Sequence, residues 1–214
     1  MIKRAFTLKP SALAVVAALG LGYSPVLLAA GPQPIYIEQH YPQYFIPPAH
    51  HDIVEVTLYG DVSGEIYGLF LDRGWTVQTL NNRNFISATN YSIENQGNIS
   101  ELNNYGIIDN RPGAQEPSEP VYVIHNSAMG TIDRLNNYNI INAVDVFQIG
   151  ETYAIKNEGA INTILNAGGI FGNISSHSDL TIIGASVDNT RPSLGGPLGE
   201  AGILSGSLQN GPES

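Results

Sequence analysis

The chain has 214 residues, with 9 Lys plus Arg against 19 Asp plus Glu, a formal net charge of −10 and no cysteine. That length suffices for one domain with a sizeable core. The acidic balance repels phosphate backbones and anionic lipid, and the missing thiols exclude a disulfide framework, a thiolate metal site, a cysteine nucleophile and a bacterial lipoprotein anchor.

Residues 1–30 read as a secretory signal peptide. Lys3, Arg4 and Lys9 form a positive n-region, Ser11 to Leu21 is an apolar stretch, and Gly20, Gly22 and Pro25 break it before Leu28-Ala29-Ala30. Ser11–Ala30 is long enough to span a bilayer, but those breakers interrupt it and no basic cluster follows. Cleavage near Gly31 and export by the Sec pathway are expected. Three of the nine cations lie in this segment, so its removal takes the net charge from −10 to −13. No membrane span is expected in the mature chain.

Residues 31–52 form a Pro-, Tyr- and His-rich leader, with prolines at 32, 34, 42, 47 and 48 that argue for an extended strap. His40, His50, His51 and Asp52 lie there without a fixed geometry, so no metal site is assigned. Residues 53–70 read as N-terminal strands or a cap: Ile53, Glu55, Thr57 and Tyr59 alternate with Val54, Val56 and Leu58, which predicts one apolar face, and Gly60-Asp61 and Ser63-Gly64 are turn pairs.

Residues 71–184 carry a repeat, I-x-N-x-G-x-I-x-x-L-x-N-x-G-x-I. One copy runs Ile93, Asn95, Gly97, Ile99, Leu102, Asn104, Gly106, Ile108, and another Ile155, Asn157, Gly159, Ile161, Ile164, Asn166, Gly168, Ile170. Between them lies Ile124, Asn126, Gly130, Ile132, Leu135, Asn137, Asn139, Ile141, with two extra residues before Gly130. A degraded first copy is matched as Leu71, Arg73, Trp75, Val77, Leu80, Asn82, Asn84, Ile86. The central Leu/Ile falls at 80, 102, 135 and 164, in steps of 22, 33 and 29. If 22 is the bare unit, the excess falls at RPGAQEPSEP (111–120) and near NAVDVFQIGE (142–151).

A fixed unit with confined insertions is the mark of a solenoid. Spacing by two points the repeat residues to one side of an extended chain, and the three-residue step from Ile99 to Leu102 implies a bend. Stacked copies would give columns of Ile, and columns of Asn whose amides bond along the stack. Glycine is expected to supply positive φ at tight corners. Asn82, Asn104, Asn137 and Asn166 are the expected structural ladder. Tyr105 and Tyr138, each just after a ladder Asn, form the candidate contact stripe. Residues 185–214 are Gly-, Ser- and Pro-rich and are expected to be a disordered tail.

At YSIENQGNISELNNYGIIDN and YAIKNEGAINTILNAGGIFGNIS the chain resembles the passenger region of bacterial autotransporters, over about residues 66–184 plus the signal peptide. The resemblance implies a parallel β-helix displayed at the cell surface or outer membrane. In that family a C-terminal β-barrel performs export, and nothing after Ile183 reads as the alternating strands of a barrel, which points to a fragment, a truncated product or a passenger without its translocator. If the chain is complete, it would be periplasmic or extracellular. The expected fold is all-β: a short right-handed parallel β-helix of about four rungs, with the Pro-rich strap and the disordered tail.

Catalytic motifs are poorly represented. Gly60-Asp61-Val62-Ser63-Gly64 has an extra Val relative to the Gly-Asp-Ser-Gly of protease passengers, which displaces the Ser from its oxyanion donors. His125 and His177 are isolated, and Asp109, Asp133, Asp145 and Asp179 are scattered. Trp75 and the tyrosines could form a sugar- or protein-binding face or simply pack the solenoid side. The expected function is an exported, surface-exposed structural or adhesive segment, with no catalytic residue, metal or cofactor. Its expected partner is a protein or glycan on a host or neighbouring cell surface, not nucleic acid. The alternatives are a secreted carbohydrate-active β-helix enzyme, which Asp and Arg side chains converging on one face would favour, and a truncated remnant without independent function.

Overall fold

The computed structural model describes residues 34–39, 44–45, 52–64, 66–110, 120–143, 152–187, 202–205 and 208–210. The signal peptide, the cleavage point, His40, His50, His51, Asp145, the insertions 111–119 and 144–151 and residues 188–201 of the tail lie outside them. The described residues form strands and no helix.

In chain order the strands are β1 (Ile35–Ile37) and β2 (Tyr44–Phe45); β3 (Asp52–Leu58), β4 (Val62–Gly64) and β5 (Tyr67–Leu71); β6 (Thr76–Asn82), β7 (Phe85–Ala88) and β8 (Tyr91–Asn95). There follow β9 (Asn98–Asn104), β10 (Ile107–Asn110) and β11 (Val121–Asn126), then β12 (Thr131–Asn137), β13 (Ile140–Asn142) and β14 (Thr152–Asn157). The last are β15 (Ala160–Asn166), β16 (Gly169–Phe171) and β17 (Asn173–Ser176), then β18 (Thr181–Ile183), β19 (Ala185–Val187), β20 (Gly202–Ser205) and β21 (Leu208–Asn210). They make three seven-stranded sheets, ordered β1-β3-β6-β9-β12-β15-β18, β19-β20-β16-β13-β10-β7-β4 and β2-β5-β8-β11-β14-β17-β21. All their pairings are parallel. From β3 to β18 the chain visits the three sheets in rotation, as parallel strands joined by short corners require.

The register stacks like on like. Ile99, Ile132 and Ile161 form one column of the first sheet, and Leu80, Leu102, Leu135 and Ile164 the next. Ile86, Ile108, Ile141 and Ile170 align in the second sheet, and Leu69, Ile93, Ile124, Ile155 and Ile174 in the third. These columns are buried in a single core that also holds Trp75. Full burial of each such side chain is worth about 1.5–3 kcal/mol, repeated at every circuit.

Several expectations change. In β3 the buried residues are Ile53, Val56, Thr57 and Leu58, while Val54 is 36% exposed. Simple alternation fails because β3 already follows the repeat: Ile53 pairs with Val77, Val56 with Leu80, and Leu58 with Asn82. In the first copy, Leu69 pairs with Ile93 and Leu71 with Asn95. The first copy therefore begins at Leu69 and Leu71, two residues before the expected Leu71 and Arg73. The two extra residues lie in the turn at Arg73 and Gly74, as in the third copy at Ala128 and Met129. The three-residue step falls inside the continuous strands β9 and β12, not at a corner between strands.

The glycine expectation is also corrected. Positive φ among the described glycines occurs at Gly74, Gly172 and Gly184, and at none of the repeat glycines. The repeat needs glycine for close approach: a Cβ at Gly106 would meet the backbone of Asn84, its nitrogen at 2.7 Å, and one at Gly168 would meet that of Asn139 in the same way.

Pairing also continues beyond the four copies. Within the leader, β1 pairs with β3 and β2 with β5; past the repeats, β20 and β21 pair with β16 and β17. Both inserted segments fall between a strand of the second sheet and one of the third.

Candidate functional site

The structure brings the ladder asparagines together inside the first sheet. Asn82 Nδ2 donates to Asn104 Oδ1, Asn104 Nδ2 to Asn137 Oδ1, and Asn137 Nδ2 to Asn166 Oδ1, each at 2.8 Å. All four are fully buried. The same amides also donate to carbonyls of the next corner: Asn82 to Ile107, Asn104 to Ile140 and Asn137 to Gly169. A second inner ladder runs through the third sheet. Asn95 donates to Asn126 and Asn126 to Asn157, both at 2.7 Å, and Asn157 to Ser176 Oγ at 2.8 Å. In the first copy this position is held by Leu71 and not by the expected Arg73, so the ladder begins at Asn95.

A third ladder runs beside the first with the opposite polarity. Asn136 Nδ2 donates to Asn103 Oδ1 at 2.8 Å, Asn103 to Asn81 at 3.1 Å, and Asn81 to Thr57 Oγ1 at 3.1 Å. Asn136 and Asn81 also donate to Glu101 and Glu55. The ladder stops at Asn136, whose buried Oδ1 has no partner among the described residues, because the next position is Leu165.

The candidate stripe lies at the corner leaving the first sheet. Tyr105 and Tyr138 stack with ring centroids 4.9 Å apart and planes 4° from parallel. Backbone hydrogen bonds index the corner: Arg83 N to Leu58 O, Tyr105 N to Asn82 O, Tyr138 N to Asn104 O and Ala167 N to Asn137 O. Arg83 and Tyr59 therefore belong to the same column. The Arg83 guanidinium sits 4.9 Å from the Tyr105 ring and 6.0 Å from that of Tyr59. Tyr59 and Tyr105 are 51% and 41% exposed, so the stripe faces solvent. Partial burial, then the neighbouring Tyr105 and Glu101, raise the Tyr138 pKa, and Arg134 opposes them.

A second aromatic column, not assigned from sequence, lines the third sheet. Tyr67, Tyr91, Tyr122 and Tyr153 stack with successive centroids 5.3, 5.5 and 5.7 Å apart. The signal was Tyr-x-Ile-x-Asn at 91, 122 and 153, the repeat template extended by one position. In the adjoining column Glu94, His125 and Lys156 are register partners. His125 Nδ1 lies 2.5 Å from Glu94 Oε2, and its Nε2 3.4 Å from Glu158 Oε2. Burial lowers the His125 pKa, but the hydrogen bond to Glu94 and the charges of Glu94 and Glu158 outweigh it and leave the value raised. Lys156 Nζ sits 5.1 Å from the Tyr153 ring centroid. With both imidazole nitrogens engaged by carboxylates, neither is free in this arrangement to take a substrate proton.

The remaining candidates stay apart. Ser63 pairs in register with Ser87 in the second sheet. Asp109 is in the second sheet, where burial raises its pKa to about 6 against the lowering by hydrogen bonds from Asn142 and Asn110. Asp133 is in the first sheet and accepts from Asn162. His177 bonds through its backbone to Asn157, and Trp75 is buried in the core. Among the described residues no group of three His, Cys, Asp or Glu could hold a metal ion, and no helix is long and apolar enough to cross a membrane. No family model, curated protein or solved structure matches the chain.

Proposed function

We propose that the chain is an exported, surface-exposed structural or adhesive segment of an autotransporter-like protein, built as a right-handed parallel β-helix whose rungs continue past the four repeat copies. The right hand follows from the strong preference of parallel crossover connections. The observation that carries the reading is the solvent-facing Tyr59–Arg83–Tyr105–Tyr138 column on a scaffold locked by internal amide ladders. A rigid stack presenting aromatic rings at fixed spacing suits contact with a protein or glycan surface, because rings give area at low entropic cost. Scattered carboxylates and a doubly engaged His125 support a role without catalysis. Cells producing the full chain test the reading. The expected result is a species starting near Gly31 by intact mass, digested by protease added outside the cells. A product retaining Met1 and protected inside the cell would overturn it.

A further inference from the structure

The tyrosine–arginine column has one open end. Its order along the stack is Tyr59, Arg83, Tyr105, Tyr138 and then Ala167. Where a ring is missing between Tyr59 and Tyr105, the chain fills the gap with the planar guanidinium of Arg83. Tyr138 has Tyr105 against one face. On the other, the column offers only the methyl group of Ala167, and no ring or cation among the described residues covers it. The second tyrosine column differs here: its comparable ring, Tyr153, carries the Lys156 ammonium.

We propose that the outer face of Tyr138 receives an arginine side chain of a partner polypeptide, which lies over Ala167 and continues the stack. This rests on the stripe being a contact surface and names what it contacts. A tyrosine face is the negative pole of the ring quadrupole, and a guanidinium is flat, weakly hydrated and able to stack. Arg83 shows the same pairing within this column. The chain's net charge of −10 favours cationic partners at long range. Near the ring, Glu101 and Arg134 are register partners with opposing fields, so ring stacking and not simple charge sets the preference.

The full chain is titrated with acetyl-Gly-Arg-Gly-Arg-Gly-amide, with its lysine counterpart and with methyl pyranosides. The expected result is tighter binding of the arginine peptide than of the lysine peptide, by about two- to fivefold. Tyr138→Ala should abolish that preference. Ala167→Arg, which lays a guanidinium of the chain's own over the face as Arg83 does for Tyr105, should abolish it too while keeping a urea midpoint at or above the parent's. The proposal falls if the two peptides bind equally, if the preference survives in either variant, or if pyranosides alone bind in a Tyr138-dependent way. A chain that is digested on intact cells yet shows no arginine preference removes the partner chemistry and leaves the surface reading standing.

Discussion

Buried asparagine is costly unless both ends of its amide are used. An orphaned buried donor or acceptor costs about 1–3 kcal/mol. Asn137 lies mid-ladder, accepting from Asn104 and donating to Asn166. Asn82 starts the ladder, and the position before it is already Leu58. Asn137→Leu should therefore lower the urea midpoint more than Asn82→Leu, since it strands a neighbour on each side; equal midpoints would show that the amides act independently. His125 is a second residue whose surroundings set its contribution. It is faced by Glu94, Tyr91, Tyr122, Lys156 and Glu158. Its folded pKa is raised above the ordinary 6.5, so the stability it contributes is fully present below that value and is lost as pH rises through the folded one. The stability gap between the parent and His125→Gln should be widest below the ordinary 6.5 and narrow as pH rises through the higher folded value. A gap independent of pH would remove the linkage. Asp109 titrates alike in both chains and cancels from the difference.

At the scale of the strand, column identity governs. The third ladder ends because Leu165 cannot donate to Asn136 Oδ1. Leu165→Asn should carry the ladder one strand further and raise stability by about 1 kcal/mol, the net worth of one such bond; a lower midpoint in urea would mean that the lost leucine packing outweighs it. The strand-level pattern was largely legible in the sequence, because a parallel in-register stack turns a linear period directly into spatial columns. Steps of 22, 33 and 29 between Leu80, Leu102, Leu135 and Ile164 recur as the separations along the inner ladder. Legibility failed where a residue of the wrong chemistry held a column. Leu58 and Leu71 stand where later copies have Asn, so β3 does not read as part of the repeat and the template falls on β5 two residues late. The Glu94–His125–Lys156 column was hidden differently, since it occupies the variable x of Tyr-x-Ile-x-Asn and only the register shows that those variables touch.

At the scale of the molecule, each circuit touches chiefly its neighbours, so stability should be graded along the stack and not uniform. Backbone amides of β9 and β12, flanked on both sides by asparagine-bearing strands, should exchange most slowly, and those of β1 and β18, at the edges of their sheet, fastest. Hydrogen exchange read strand by strand would test this; one common rate would mean a single cooperative unit.

The shared polarity of the two inner ladders has a consequence for how such a chain changes size. Each middle circuit accepts an amide bond on one side and offers one on the other, at both ladders, so it behaves as an interchangeable cassette. Excising residues 105–137 would join Asn104 directly to Tyr138, set Asn104 against Asn166 and Asn95 against Asn157, and leave no amide of either inner ladder without its counterpart. Tyr138 would then take the place of Tyr105 beside Arg83. Duplication of the same stretch would work equally well in the other direction. Gene-level slippage by whole circuits would lengthen or shorten the tyrosine column while leaving its chemistry intact, whereas a slip of one or two residues inside a strand would set isoleucine against asparagine in that circuit.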